Sequence, residues 1–294
     1  MKNTVCKIDT CESVWNNQME TQLEEMNMKK LLLIRRVLVI LSLGYLSVGL
    51  ALPTALAKLD QHSVAVWLFN EGKGDTVADF SGNGHEGKFS GKPKWVKAEF
   101  GMGLETPGDA SGYVIVESSD KLKLEQLTIE AWVKVEKATG KWQGIICKQT
   151  SGCTNRNYGI WVHNTNGNLH AQIGFGGGCD YSIDGTTVIT DNKWHHLAFT
   201  YDGKMGRVYV DGNMETEKPY GKTPHQSDDP ITIGVPNLNN ANGLLGIIDE
   251  ARISNIARTE AEINEAMTKG LAVLLGVEPA DKLTVTWAKI KKNS

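Results

Sequence analysis

The sequence has little charge of either sign to spare: 31 Lys+Arg stand against 34 Asp+Glu, a net charge of −3 over 294 residues. It therefore lacks the cationic field that nucleic-acid binding draws on, and its 40% hydrophobic content excludes the core-poor composition of a disordered chain. Proline is scarce at 8 residues and cysteine scarcer at 5. No zinc-ligand spacing, phosphate-binding glycine loop, dinucleotide fingerprint or Gly-x-Ser-x-Gly elbow occurs, which removes the readiest signals of metal, nucleotide and serine-hydrolase chemistry. No repeat with a period of roughly 20–50 residues is present, which argues against a propeller or solenoid. What is plentiful is glycine, at 31 residues, together with 8 tryptophans. Turn-permissive residues among scattered aromatics suit an all-β domain with many tight turns.

Lys29-Lys30 and Arg35-Arg36 precede an apolar run of 16 residues over positions 37–52, followed by Pro53 and Ala55-Leu56-Ala57. A cationic start, an apolar stretch and small residues at alternate positions are the parts of a secretory signal, so residues 1–57 read as a leader. A membrane anchor needs about 20 apolar residues and is the competing reading, but an Ala-x-Ala ending has no use in one. Residues 1–27 fit no signal, and Met26 or Met28 would give a compact start. The expected product is secreted, extracellular or held in the cell envelope, with no stable membrane span after cleavage. It keeps Cys147, Cys153 and Cys179. Three cysteines in an exported chain allow one disulfide and one free thiol. Cys147 lies in an apolar run, residues 144–147, where a buried thiol is ordinary, which makes Cys153 with Cys179 the preferred pair.

Short runs of period-two alternation or β-branched and aromatic content recur from position 64 onward, over residues 64–69, 113–117, 127–136, 158–163, 169–175, 195–201, 207–211, 231–234 and 246–254. Asn166-Gly167, Asp202-Gly203 and Asp211-Gly212 fall between them as hairpin turns. The pattern predicts an antiparallel sandwich over residues 58–268. One helix is predicted over residues 259–269, opened by Thr259 with Glu262 at capping-box spacing and closed by Gly270. Residues 269–294 are expected to form a separate tail, which either docks on the sandwich or reaches another chain.

Seven segments then come in a recognisable order: Gly103-Leu104 with Tyr113-Val114-Ile115-Val116, residues 127–133 (Leu-Thr-Ile-Glu-Ala-Trp-Val), 194–203 (Trp-His-His-Leu-Ala-Phe-Thr-Tyr-Asp-Gly), 208–212, 231–234 and 246–253 (Gly-Ile-Ile-Asp-Glu-Ala-Arg-Ile). Over residues 63–267 this resembles LamG-like jellyroll domains of the concanavalin A-like lectin/glucanase superfamily. The resemblance implies an all-β fold, an antiparallel jellyroll β-sandwich with one short C-terminal helix. That fold carries lectins, adhesion modules, carbohydrate-binding modules and glycosidases alike, so it does not fix function.

The loop at residues 79–85 puts side-chain oxygens of Asp79, Ser81 and Asn83 at alternate positions beside glycines. It fails the helix-loop-helix calcium motif, since its twelfth position is Ser90 rather than Glu. The family resemblance implies that this loop meets the Ile-Asp-Glu motif, with Asp79, Asn83 and Asp249 sharing a structural Ca2+ and Gly82 and His85 adding carbonyls. The competing reading is a turn in which Asp79 caps backbone amides.

Strand parity supplies the candidate ligand site. In residues 127–136, Leu127, Ile129, Ala131, Val133 and Val135 share one face, which leaves Trp132 among charges on the other. Around Asn166-Gly167, Trp161 falls on the polar side beside His163, His170 and Gln172. Tryptophan rings among hydrogen-bonding groups suit sugars, which present apolar C–H faces and polar edges; the alternative is that loops cover these rings as a second small core. Trp142 and Tyr181, flanking the expected disulfide, are further candidates. Catalysis is not expected. Glycosidases need two facing carboxylates, whereas adjacent Asp249 and Glu250 would point to opposite faces of a strand, as would His195 and His196. The sequence thus reads as a secreted non-catalytic glycan-binding module, with an extracellular protein-interaction domain as the alternative and an unrecognised glycoside hydrolase behind both. Intact-mass analysis of the exported protein is expected to give a chain beginning at Lys58, and non-reducing peptide maps to join Cys153 to Cys179.

Overall fold

Alternation decides which side of each long strand meets the core, and the core decides the architecture. The computed structural model describes Met28 and residues 60–149, 156–176, 181–239 and 241–277, and the fold below belongs to the compact unit Leu56–Ser294. Its strands are β1 (Ser63–Trp67), β2 (Thr76–Val77), β3 (Gly87–Gly91), β4 (Lys94–Ala98), β5 (Gly101–Asp109), β6 (Gly112–Val116), β7 (Leu127–Val135) and β8 (Gln143–Lys148). There follow β9 (Tyr158–Val162), β10 (Asn168–Ile173), β11 (Ser182–Val188), β12 (Trp194–Tyr201), β13 (Met205–Val210), β14 (Asn213–Pro219), β15 (Ile231–Ile233) and β16 (Asn242–Ser254). Two helices close the unit, α1 (Glu260–Lys269) and α2 (Leu271–Leu274).

The strands pair antiparallel in two eight-stranded sheets. The first runs β14-β13-β12-β7-β16-β5-β4, with β1 also on β16; the second runs β11-β10-β9-β8-β15-β6-β3-β2. Between them lie Leu127, Ile129, Ala131 and Val133 from β7, Tyr158, Ile160 and Val162 from β9, and Leu197, Phe199 and Tyr201 from β12, all buried. This is the expected jellyroll sandwich. Asp211 and Gly212 take φ of 48° and 78°, the left-handed pair that a two-residue hairpin requires. Periodicity passed over β2, β3, β4, β5, β8, β11 and β14. Gly101, Gly103, Pro107 and Gly108 interrupt the pattern of β5, and β14 is a polar edge strand. Glu215 of β14 accepts the N–H groups of Thr186 and Thr187 at 2.6 and 3.2 Å, tying the edge of one sheet to the edge of the other.

Helix α1 begins with the predicted box, the Thr259 side chain accepting from Glu262 N at 3.3 Å and the Glu262 carboxylate from Thr259 N at 2.8 Å. Its Ile263 packs on Ala198 and Tyr209, on the outer face of the first sheet. The first part of the tail docks on the sandwich. Leu271, Ala272 and Leu275 are buried with Val66, Leu68 and Ala266, and the Glu250 carboxylate accepts Leu271 N at 2.6 Å and Ala272 N at 3.3 Å. Residues 271–277 are therefore part of the domain, because apolar side chains and a buried carboxylate meet the start of α2 together; residues 278–294 lie outside the described residues. Thr259→Ala is expected to lower unfolding free energy by about 1 kcal/mol and Ile253→Ala by about 2–5 kcal/mol, read from urea denaturation midpoints.

Candidate functional site

The second sheet turns its outer face toward a row set by register: His170 pairs with Trp161, and Trp161 with Gly144. Glycine is needed beside the ring, since a Cβ on Gly159 would stand 2.5 Å from Trp161 Cη2. The Arg156 guanidinium lies 4.6 Å above the Trp161 ring. Arg156 Nε donates to Gln149 Oε1, and Gln149 Nε2 donates to the Pro236 carbonyl at 2.7 Å. Under this cover Trp161 is 2% exposed. It is a floor rather than an open platform, the loop-covered alternative.

Beside that floor stands an aromatic group. Trp142 packs against His163 and His170 with centroids 4.6 and 4.5 Å apart, and the two imidazoles are 5.8 Å apart. Hydrogen bonds fix the tautomers. His163 Nδ1 accepts the N–H groups of Thr165 and Asn166 at 3.1 and 3.2 Å, so its proton sits on Nε2. His170 Nδ1 lies 2.6 Å from Asp184 Oδ1, and the hydrogen bond from His170 holds the Asp184 carboxyl below the usual range despite its burial. An ionised Asp184 makes His170 Nδ1 the donor of this hydrogen bond. Trp142, His163 and Asp184 are partly exposed while His170 is buried, so an apolar ring, a donor and a carboxylate meet at the surface beside a buried imidazole.

The other candidates are not gathered there. Tyr181 belongs to a group with Phe175 at 4.7 Å and Tyr220 at 6.2 Å. Trp132 is on the first sheet, 5.5 Å from His196 and 5.9 Å from Phe100. Gln172 is buried on β10. Cys147 is a buried free thiol whose burial pushes its pKa up; Cys153 and Cys179 lie outside the described residues. His195 is held by Asp211 and Asp191 at 2.8 and 3.2 Å while His196 turns to Glu130, as strand parity requires.

The expected calcium ligands do not fit the ion. Asp79 Oδ1 accepts from Val66 N and Ser81 N at 3.0 and 2.9 Å, and Oδ2 from Ser81 Oγ and His85 N at 2.8 and 2.9 Å. A carboxylate has about four lone-pair sites, and four donors fill them. Asn83 Oδ1 accepts the Lys121 ammonium at 2.6 Å, the His85 carbonyl accepts Trp67 Nε1 at 2.8 Å, and Asp249 Oδ2 accepts Phe100 N at 2.7 Å. Gly82 adopts φ 77° within the turn. Oxygens facing N–H and ammonium groups have the wrong surroundings for a cation. Among the described residues no three His, Cys, Asp or Glu gather to hold a metal, and Asp79, Asn83, His85 and Asp249 spend these oxygens on hydrogen bonds within the fold.

A family model described as "Concanavalin A-like lectin/glucanases superfamily" matches residues 108–264, more than half of the chain. The chain belongs to that superfamily. No curated protein matches it significantly. Among solved structures, this concanavalin A-like chain is similar to the binding domain of Paraclostridial Mosquitocidal Protein 1, at TM-score 0.57 and 19% identity over 71% of this chain and 52% of that one. It is also similar to domain 4 of AbnA, an extracellular arabinanase from Geobacillus stearothermophilus solved with arabinotriose, at TM-score 0.57 and 19% identity over 70% and 98% of the chains. A botulinum neurotoxin type C structure, from work on cell entry dependent on two ganglioside molecules, follows at TM-score 0.56 and 16% identity over 72% and 52%. The chain thus spans about half the length of the two toxin chains. At these identities the likeness is one of fold.

Sequence reasoning about this concanavalin A-like domain missed a buried ionic centre. Glu130, with no exposed surface, receives Arg252 Nη2 at 2.6 Å and Nε at 2.7 Å, with Arg258 Nε at 4.0 Å and His196 Nε2 at 3.4 Å. Arg258 also bonds Asp60. A bulge permits the pairing: Asp249 faces Trp132 and Arg252 faces Glu130, so Glu250 and Ala251 oppose the single Ala131, with Glu250 at φ 41°. Strict alternation fails there, and Asp249 and Glu250 are both buried, with burial pushing each carboxyl up to about 7. The only local clue was the polar parity of Glu130. Burial alone would raise the Glu130 pKa, but Arg252, His196 and Arg258 outweigh it and hold the group at about 2. A carboxyl depressed in the fold stabilises above its unfolded pKa of about 4.3 and loses that contribution as pH falls toward 2. Unfolding free energy is expected to decline from pH 5 to pH 2, and Glu130→Gln to flatten part of that decline while costing about 3–5 kcal/mol at neutral pH.

Proposed function

We propose that this chain is an exported, non-catalytic carbohydrate-binding module whose ligand seats on Trp142 between His163 and His170. The observation that carries the reading is the pairing of a partly exposed indole with the partly exposed His163, whose Nε2 donates, beside the buried His170 and its Asp184 carboxylate. A sugar ring offers C–H groups to the indole and hydroxyls that donate and accept at its rim. Asp184, with 43% of its side chain exposed, adds a carboxylate acceptor beside His170. The arabinotriose complex of AbnA domain 4 supports a saccharide ligand on this type of sandwich. The non-catalytic part of the reading rests on the closed positions of Asp249 and Glu250, which no substrate reaches. Glycan-array screening followed by calorimetry is expected to find a saccharide ligand, with Trp142→Ala and His170→Ala each weakening it at least about tenfold, the equivalent of about 1.4 kcal/mol. An array without hits, or a ligand indifferent to both variants, refutes the site; binding of an extracellular protein instead would favour the interaction-domain alternative.

A further inference from the structure

The outer face of the first sheet carries a different kind of surface. Register lines Lys94, Glu105, Ile247, Lys134 and Trp194 into one row across five strands. Pro107 faces Leu245 in the adjoining row, and Glu136 N donates to the Leu245 carbonyl at 2.9 Å. Here a cleft of about 250 Å³ opens, with apolar Pro107, Leu245 and Ile247 along one side and Lys92, Lys134 and Glu136 among its polar lining. Lys94 is paired with Glu105 at 3.7 Å. Among the described residues Lys92 and Lys134 form no ion pair, so two ammonium groups and the single carboxylate of Glu136 remain to meet a ligand. Lys134 is half-buried, its stem beside the cross-strand neighbours Ile247 and Trp194, which leaves the ammonium as its free end.

We propose that this cleft binds one carboxylate-bearing sugar residue, a sugar acid. The carboxylate meets Lys134 and Lys92, hydroxyl groups donate to Glu136 and accept from Asn192, and the C–H face of the ring lies on Ile247 and Leu245. A neutral sugar leaves both ammonium groups unpaired, and a bare anion leaves the apolar side and Glu136 without a partner. At about 250 Å³ the space falls below the range of roughly 300–1,000 Å³ usual for larger ligands and suits one ring. The site is on the opposite sheet from Trp142 and does not depend on it.

The test is an NMR titration of the full chain with glucuronate, glucose and acetate in parallel. Glucuronate is expected to shift the amides of residues 134–136 and 245–247, to bind at least about tenfold more tightly than glucose or acetate, and to weaken as salt rises. Lys134→Met should weaken glucuronate at least about tenfold, and Lys92→Met, on an exposed loop, should weaken it in the same direction should the first variant fail to fold. Trp142→Ala should leave it unchanged. Absence of those shifts, equal affinity for acetate or glucose, or indifference to the lysine variants overturns the proposal. Loss of glycan-array binding in Trp142→Ala with the glucuronate shifts intact separates this cleft from the aromatic site.

Discussion

A carboxylate without access to water, Glu130, is the constraint around which one side of the sandwich is arranged. An ion in that position is tolerated only beside a cation, and Arg252 supplies it from the neighbouring strand, with both Nε and Nη2 directed at Oε1. For Arg252 to face Glu130, β16 must carry one more residue than β7 between the two flanking pairs, and the bulge at Glu250 provides it. The second cation, Arg258, follows the strand into the turn before α1, where Asp60 at the start of the domain balances it. One buried charge thus links the first residues of the domain, its two central strands and the entry to its helices. Any register that separated its members would strand a charge.

The bulge has a second effect. It places Glu250 where its carboxylate receives the first N–H groups of α2, which draws residues 271–277 onto Val66 and Leu68. The first sheet is therefore covered at this end and open at the Lys134 end. The second sheet is covered differently, by Arg156 and Gln149 over Trp161, while Trp142 stays partly exposed. Both exposed regions combine aromatic or aliphatic surface with fixed polar groups, the combination that sugar recognition uses.

Much of the frame was readable in the chain. Alternation in β7, β9 and β10 separated core side chains from the polar face, the Asp-Gly pairs marked hairpins, and Thr259 with Glu262 marked the helix start. β5 escaped because glycines and Pro107 mask its pattern while its neighbours β4 and β16 still hold it in the sheet. The candidate site was legible as residue types but not as geometry. Trp142, Trp161, His163 and His170 do come together, yet parity alone could not show that Arg156 covers Trp161 or that Tyr181 and Trp132 stand elsewhere. The Asp79 loop left two readings open for a related reason. Alternating oxygens serve a cation and a set of backbone N–H donors equally well, and the choice depends on what β1 brings to them.

The sequence by itself determined the all-β class, the faces of the main strands, the turns and the terminal helix, because these follow from steric and hydrophobic preferences within a few residues. Only the tertiary structure decided where the charges went. Glu130 is 122 residues from Arg252, and no local pattern records which distant group will neutralise a side chain once water is excluded. The same holds for the accessible chemistry: Trp142 and the Lys134 cleft remain open because of what packs elsewhere, and packing across two sheets is a property of the whole fold.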